Sequence, residues 1–363
     1  MAVHAGRLVA RARRAYARKR ASNGPALEDL TIALAAAARL EHPDLRADIL
    51  EQRAATERQL GLFAAALATA KEALALREAG AETPGRPRAL WTTELALLRA
   101  EAAIEVEDLA AARGALDVLS AVQEDAVRAQ SLVVRGRIAI AEGHPDAALA
   151  PLAEARRLAE AASGGDVLTS KTRASRARRL AQHALYGAMG ATAEAEIALG
   201  RAAEAERDLA TLLTLLTQRG FRIEPFLEVR AIVALNRLVR GRVPATRALA
   251  RAKHAFEVVE ALDPAPIVGE ALVGLGEALI EAGDPNAAVA RLTRAELLAR
   301  EASVRLRVEC ASALLRAARA RGTDPAARPR ALEIARRALQ EAKRETPGRE
   351  ALEVLVASEA SAR

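Results

Sequence analysis

Aromatic residues are nearly missing from this chain: one tryptophan, two tyrosines and four phenylalanines make up 2% of 363 positions. Strands draw on aromatic and β-branched side chains, and single-strand nucleic-acid binders stack bases on aromatic rings, so both readings lose support. Cysteine occurs once, as Cys310, which excludes an intrachain disulfide and any cysteine-cluster metal site. Within "RVECASALL" it reads as a small buried apolar residue. No uncharged run approaches the length of about 18 residues that crosses a bilayer. The basic start lacks the apolar stretch of a secretory signal, so a soluble, reducing, cytoplasmic setting is the expectation. An arginine-rich, acid-free start also matches an organellar transit peptide. Leu8, Val9, Ala12, Ala15 and Tyr16 equally form one face of a first helix.

Catalytic patterns are missing too. The five histidines, His4, His42, His144, His183 and His254, are scattered, with no His-Glu-x-x-His and no His-x-His, and read as surface residues. There is no Gly-x-Ser-x-Gly elbow and no Walker glycine loop. Gly274-Leu275-Gly276 has no preceding strand, which a dinucleotide site requires. No catalytic residue, cofactor or metal is called for. His144-Pro145-Asp146 matches the tripeptide of J-domain cochaperones, but it falls at a turn whose sister copy reads Asp284-Pro285-Asn286.

What the chain does have is apolar content of 51%, supplied mostly by Ala, Leu and Val, residues that pack helices closely. At 363 residues it exceeds the size at which one core stops growing, so several domains or a repeat array is expected. The net charge of +7 does not mark a nucleic-acid binder: Arg7, Arg11, Arg13, Arg14, Arg18, Lys19 and Arg20 account for all of it, and the remaining sequence balances. Smaller basic clusters lie at residues 171–179 and 316–330 and read as solvated helix faces.

A repeat underlies the composition. Residues 143–158, "GHPDAALAPLAEARRL", and 283–298, "GDPNAAVARLTRAELL", agree at eight of sixteen places, with a second glycine seven residues earlier in each, Gly136 and Gly276. That interval is two helical turns, so the first glycine lies within a helix and the second ends it. Gly136 and Gly276, with Ala54, Ala100 and Ala193 in matching places, let a neighbouring helix approach. Gly61, Gly143, Gly200 and Gly283 end the first helix in a left-handed turn, and Gly274 reads as incidental. Pro145 and Pro285 open the second helix. Ala148, Leu152, Ala155 and Leu158 then form one apolar stripe, as do Ala288, Leu292, Ala295 and Leu298.

This pattern resembles the tetratricopeptide repeat (TPR) family, with a small residue in helix A, a Gly-Asp-like turn, and alanines seven apart on helix B. Leu275-Gly276, Gly283-Asp284, Ala288 and Ala295 make the strongest copy. Others run over Leu50–Leu76, Leu95–Leu119, Leu132–Leu158 and Leu185–Leu213, with weaker ones over Ala231–Phe256 and Leu306–Leu339. The resemblance implies an all-α, right-handed α-solenoid of stacked antiparallel helix pairs. Two departures stand out: the family's aromatics are mostly Leu or Ala here, and the period is near 41 residues. Turn glycines at 61, 143, 200, 241, 283 and 322 set that period, with one long gap of 82.

The expected organisation is a basic helix and first pair at 1–45, repeats at 46–161, an irregular insertion or extended helix at 162–199, repeats at 200–345 and a capping helix and tail at 346–363. Breakers fall at 80–87, 220–225 and 263–266, and Thr346-Pro347 should cap a last helix carrying Leu352, Leu355 and Val356. In such a stack the A helices line the concave groove. Glu101, Arg137, Glu194 and Glu277, just after the small residue, and Asp48, Glu94, Gln130 and Glu270, two turns earlier, are the expected groove residues. Most are acidic, and the family's carboxylate-clamping basic set is represented only by Arg137, so acidic peptide tails are not the expected ligands. The expected function is therefore a non-catalytic scaffold binding a protein or peptide of basic or amide-rich character. The alternatives are a regulatory sensor controlling a separate effector and, less favoured, nucleic-acid binding through the basic N-terminus and residues 171–179. A site assembled from dispersed Glu and Arg for catalysis ranks last.

Overall fold

The protein is described by a computed structural model covering residues 30–31, 34–35, 43–80, 88–162, 176–218, 225–262, 265–300, 302–344 and 346–360. The basic N-terminus, most of the 171–179 cluster, His4, His42 and most of the breakers at 80–87, 220–225 and 263–266 lie outside the described residues. Among those described there are fifteen α-helices and no strand. Contacts divide the chain into two units, 1–195 and 196–363.

In the first unit α1 (Pro43–Gln59) folds back on α2 (Phe63–Glu78), α3 (Arg88–Glu105) on α4 (Leu109–Ser120), and α5 (Asp125–Ala141) on α6 (Pro145–Ala162). α7 (Arg176–Ala198) follows, and the unit boundary falls in its last turn. The second unit opens with α8 (Ala202–Gln218). Three pairs follow: α9 (Pro225–Leu238) with α10 (Ala245–Val259), α11 (Pro266–Glu281) with α12 (Pro285–Ala299), and α13 (Val304–Arg319) with α14 (Ala327–Glu341). α15 (Arg349–Ala360) packs against α13 and α14.

Turn chemistry sets this arrangement. Gly61, Gly143, Gly200 and Gly283 have φ between 74° and 81°, a conformation that ends a helix without steric cost only where there is no Cβ. The side chains of Asp108 and Asp284 then accept the backbone N–H of Ala111 and Ala287, at 3.0 and 3.1 Å, and so cap α4 and α12. Glu107 corrects the expected period. It occupies the left-handed turn position at φ 59°, so the apparent gap of 82 residues is two repeats of 46 and 36. Glycine spacing could not reveal a turn built on a glutamate. At the C-terminal end Gly348 has φ 81° and the last helix begins only at Arg349. The Thr346 hydroxyl accepts the Lys343 N–H at 3.0 Å.

In the α5–α6 and α11–α12 pairs the glycine of the first helix receives a leucine of the second. A Cβ added at Gly136 would stand 2.6 Å from Leu152 Cγ, and one at Gly276 2.5 Å from Leu292 Cγ. Ala54, Ala100 and Ala193 are fully buried in the matching places, as are Ala148, Leu152, Ala155, Ala288, Leu292 and Ala295 on the B stripe. Gly274 is not incidental: a Cβ there would lie 2.6 Å from Val233 Cγ2, so it lets α11 approach α9. Gly276→Ala gains helix propensity of about 1 kcal/mol but overpacks the α11–α12 contact by about 1–3 kcal/mol. Because Leu292 meets it at its branch point and is itself fully buried, the expected net result is a lower melting temperature by circular dichroism. Cys310 is buried as expected, its thiol donating to the Leu292 carbonyl at 3.4 Å and its pKa pushed up by burial.

Candidate interaction face

Each A helix packs on the A helices beside it as well as on its own B helix: α1 on α3, α3 on α5, α9 on α11, α11 on α13, and α13 on α15. Side chains at the two repeat positions behind the turn therefore meet partners from neighbouring A helices. In the first unit Glu101 on α3 is buried and paired with Arg58 of α1 at 3.0 Å, with His183 of α7 at 3.7 Å. Burial alone would raise the Glu101 pKa, but Arg58, His183 and Arg137 outweigh it and hold the carboxyl below its ordinary value. Arg137 reaches Glu105 at 2.5 Å. The Gln130 amide, 2% exposed, donates to the Leu180 carbonyl and contacts His183 Nδ1 at 2.9 Å. His183 is thus a partly buried member of a polar cluster rather than the surface residue expected, and His254 contacts Glu228 at 3.2 Å.

The second unit carries the longer network. Glu270 on α11 accepts two hydrogen bonds of 3.0 Å from Arg230 on α9. One turn pair later Glu277, with its side chain 7% exposed, takes Arg237 of α9 at 2.8 Å on one oxygen and Arg316 of α13 at 2.5 Å on the other. Arg240 stands 3.6 Å away and pairs mainly with Glu281. Arg237 also reaches Glu309 of α13 at 3.1 Å, and Arg305 binds the other Glu309 oxygen at 2.9 Å. Burial pushes both carboxyl pKa values up, and the arginines reverse that shift. Glu277 ends below its ordinary value and Glu309 is brought down to about 2.

A carboxylate held at about 2 against an ordinary 4.5 contributes stability above pH 4.5 that is lost as pH falls toward 2. Glu309→Gln is therefore expected to lower stability at pH 7 by about 2–3 kcal/mol. The gap to wild type should close between pH 4.5 and 2 in urea melts. A gap that does not change with pH would show that Glu309 carries no such coupling.

The other three expected groove residues lie as follows. Asp48 pairs with Arg77 of α2, within its own helix pair, and Glu94 and Glu194 are half-buried on α3 and α7. The residues missed were the arginines and Glu309. Arg316 and Glu309 occupy in the last repeat the places of Glu277 and Glu270, counted back from Gly322 instead of Gly283, so the repeat register carried one copy further would have found them.

Above this floor lies a cleft of 760 Å³ confined to the second unit. It is lined by the charged residues Arg237, Arg240, Glu277, Glu309, Arg316 and Glu350 and by Val308 of α13 with Ala351, Val354 and Leu355 of α15. Val354 is 65% exposed, the most exposed large apolar side chain among the described residues.

Paired helices, a glycine of helix A against a leucine of helix B in two of the pairs, and A helices packed on A helices decide the fold. It is TPR-like. No family profile and no curated protein sequence matches the chain. Among solved structures it is similar to a tetratricopeptide repeat protein from Parabacteroides merdae, at 15% identity over 80% of this chain and 93% of that one, TM-score 0.40. It is also similar to the P58(IPK) TPR domain, at 15% identity over 97% and 89%, TM-score 0.27. A third is yeast Tom70, at 13% identity over 99% and 96%, TM-score 0.36. The helix packing of the chain itself, rather than these alignments, makes the two units TPR-like. Among the described residues no group of three His, Cys, Asp or Glu side chains is placed to hold a metal ion, and no helix is long and apolar enough to cross a membrane.

Proposed function

We propose that this chain is a non-catalytic protein–protein interaction scaffold that takes a segment of another protein on the A-helix face of residues 196–363. The observation that supports the reading is the cleft lined by α9, α11, α13 and α15: a concavity with both charged and apolar lining residues and an exposed valine. Interaction sites combine such an apolar patch with polar groups that fix register. The expectation of a basic partner rested on the acidic groove residues, and Glu101, Glu270 and Glu277 each pair with an arginine of the chain itself. Reversing Glu101 or Glu277 would therefore test folding before it tested binding.

Val354→Asp is the cleaner probe, because the side chain it changes stands mostly in solvent. Affinity capture from the native source with the intact chain is expected to recover one stoichiometric protein, which Val354→Asp loses while keeping its helical spectrum and melting temperature. Recovery of no stoichiometric protein by either form sinks the scaffold reading.

A further inference from the structure

We infer that the exposed face of α15 is a self-association surface, on which α15 of a second copy of this chain lies antiparallel about a two-fold axis at Val354. Leu352, Leu355, Val356 and Glu359 recur at i, i+3, i+4 and i+7 and form the buried and half-buried side of the helix, which packs on α13 and α14. The opposite side carries Glu350, Ala351, Val354, Ala357 and Ser358, all exposed. A helix that closes a solenoid toward water is expected to turn a polar side outward. Here the middle of that side is Val354, 65% exposed, with an alanine three residues to either side.

The order of residues about Val354 matches a copy of itself. In an antiparallel two-fold pair, the residue k places before Val354 lies level with the residue k places after it in the other copy. Val354 therefore meets Val354 of the second copy, while Ala351 and Glu350 lie level with Ala357 and Ser358 of the second copy. Small side chains on either side of the valine let the two helix axes approach until the valines touch.

Charge follows the same symmetry. Glu350 has no ion pair among the described residues, and the other acid on the exposed part of α15, Glu353, is taken by Arg349 at 2.8 Å. At the far end of the helix Glu359, 3% exposed, is shared by Arg319 at 3.0 Å and Arg328 at 2.6 Å. Two guanidiniums on one carboxylate leave that end with surplus positive charge. Arg319 also donates to the Ser358 hydroxyl at 3.0 Å, so its guanidinium stands beside Ser358. The two-fold brings Glu350 of each copy level with Ser358 of the other, and each unpaired acid thereby reaches an arginine that shares its own acid with another. One helix of 12 residues against another buries less than the about 1,200 Å² of a stable interface, so the expected dimer is weak, with a Kd on the order of 10 µM or above.

The test is sedimentation equilibrium of the full-length chain from about 1 µM to about 1 mM, a range that brackets such a Kd. The mass should rise from one chain to two, and the dimer should weaken as salt rises. Val354→Asp and Ala357→Glu should each weaken it at least tenfold without lowering the melting temperature, since both side chains are exposed. Glu350→Lys, which sets a cation beside Arg319 of the second copy, should weaken it about tenfold. Cross-linking reads the two-fold itself. Under diamide, which takes the two thiol hydrogens, Val354→Cys should link two copies, while Leu297→Cys, 51% exposed on α12, should not. The native Cys310 is buried and does not compete.

A wild-type chain that stays a monomer at the highest concentration overturns the inference. A dimer left at full strength by Val354→Asp, Ala357→Glu or Glu350→Lys overturns it too, as does a Leu297→Cys protein that cross-links as fast as Val354→Cys. The scaffold reading is tested separately, because Ala357 lies outside the cleft lining. Ala357→Glu should lose the dimer and keep a captured partner.

Discussion

Glu277→Lys is expected to abolish the cooperative melting of residues 196–363. Glu277 touches Arg237 and Arg316 together, and its side chain is 7% exposed. Replacing it with lysine removes both pairs and adds a cation among Arg237, Arg240 and Arg316. Breaking a buried pair from one side costs about 3–5 kcal/mol, because the abandoned charges remain desolvated. Set against a typical stability of about 5–15 kcal/mol for a whole domain, that is enough to unfold the unit or bring it to the edge of unfolding. Glu277→Gln keeps two polar atoms in place and should cost less. Thermal melts with limited proteolysis read the difference; a Glu277→Lys protein that melts within about 2 °C of wild type would show that the ladder is ornamental.

The second large effect belongs to the first unit. Arg77 on α2 has a side chain with no exposure and binds Asp48 and Glu51 of α1, Glu51 at 2.8 Å and itself 4% exposed. Arg77→Ala takes the Arg77 charge away from buried Glu51 and opens a void, with an expected loss of about 3–5 kcal/mol. The compensated variant decides between charge and packing. Arg77→Met together with Glu51→Leu fills the space without ions and should recover most of the stability, since well-packed apolar replacements of buried pairs are often neutral. Asp48, more than a third exposed, remains solvated in both. Failure of the double variant to recover, measured by urea unfolding, would locate the stabilisation in the ion triad itself.

The parts legible from sequence share a property: their physics is local. The B-helix stripe of Ala148, Leu152 and Ala155 follows from 3.6-residue periodicity, and the left-handed turns at Gly61, Gly143, Gly200 and Gly283 follow from what only glycine adopts without strain. The close approach at Gly136 and Gly276 was readable because the repeat shows alanine or glycine at that place in copy after copy. Glu107 escaped because a turn can impose φ 59° on a residue that does not prefer it, and its sequence then carries no signal. Gly274 escaped because its contact, Val233, comes from the preceding A helix, outside its own pair.

The candidate face divides along the same line. That Glu101, Gln130, Glu270 and Glu277 point away from their own B helices was written in the repeat register. What meets them was not, since Arg58, His183, Arg230, Arg237 and Arg316 lie 39–82 residues away along the chain, on neighbouring A helices. The chain has 54 Lys and Arg residues and five histidines, so nothing in composition singles out those four arginines and His183. Sequence alone determined the helices, their pairing and the faces they bury, because periodicity and turn stereochemistry act within a few residues. Only the tertiary structure decided the electrostatic character of the interaction face. Whether a carboxylate is presented to a partner or buried beneath a guanidinium depends on which side chains the stacking of helix on helix brings within about 4 Å.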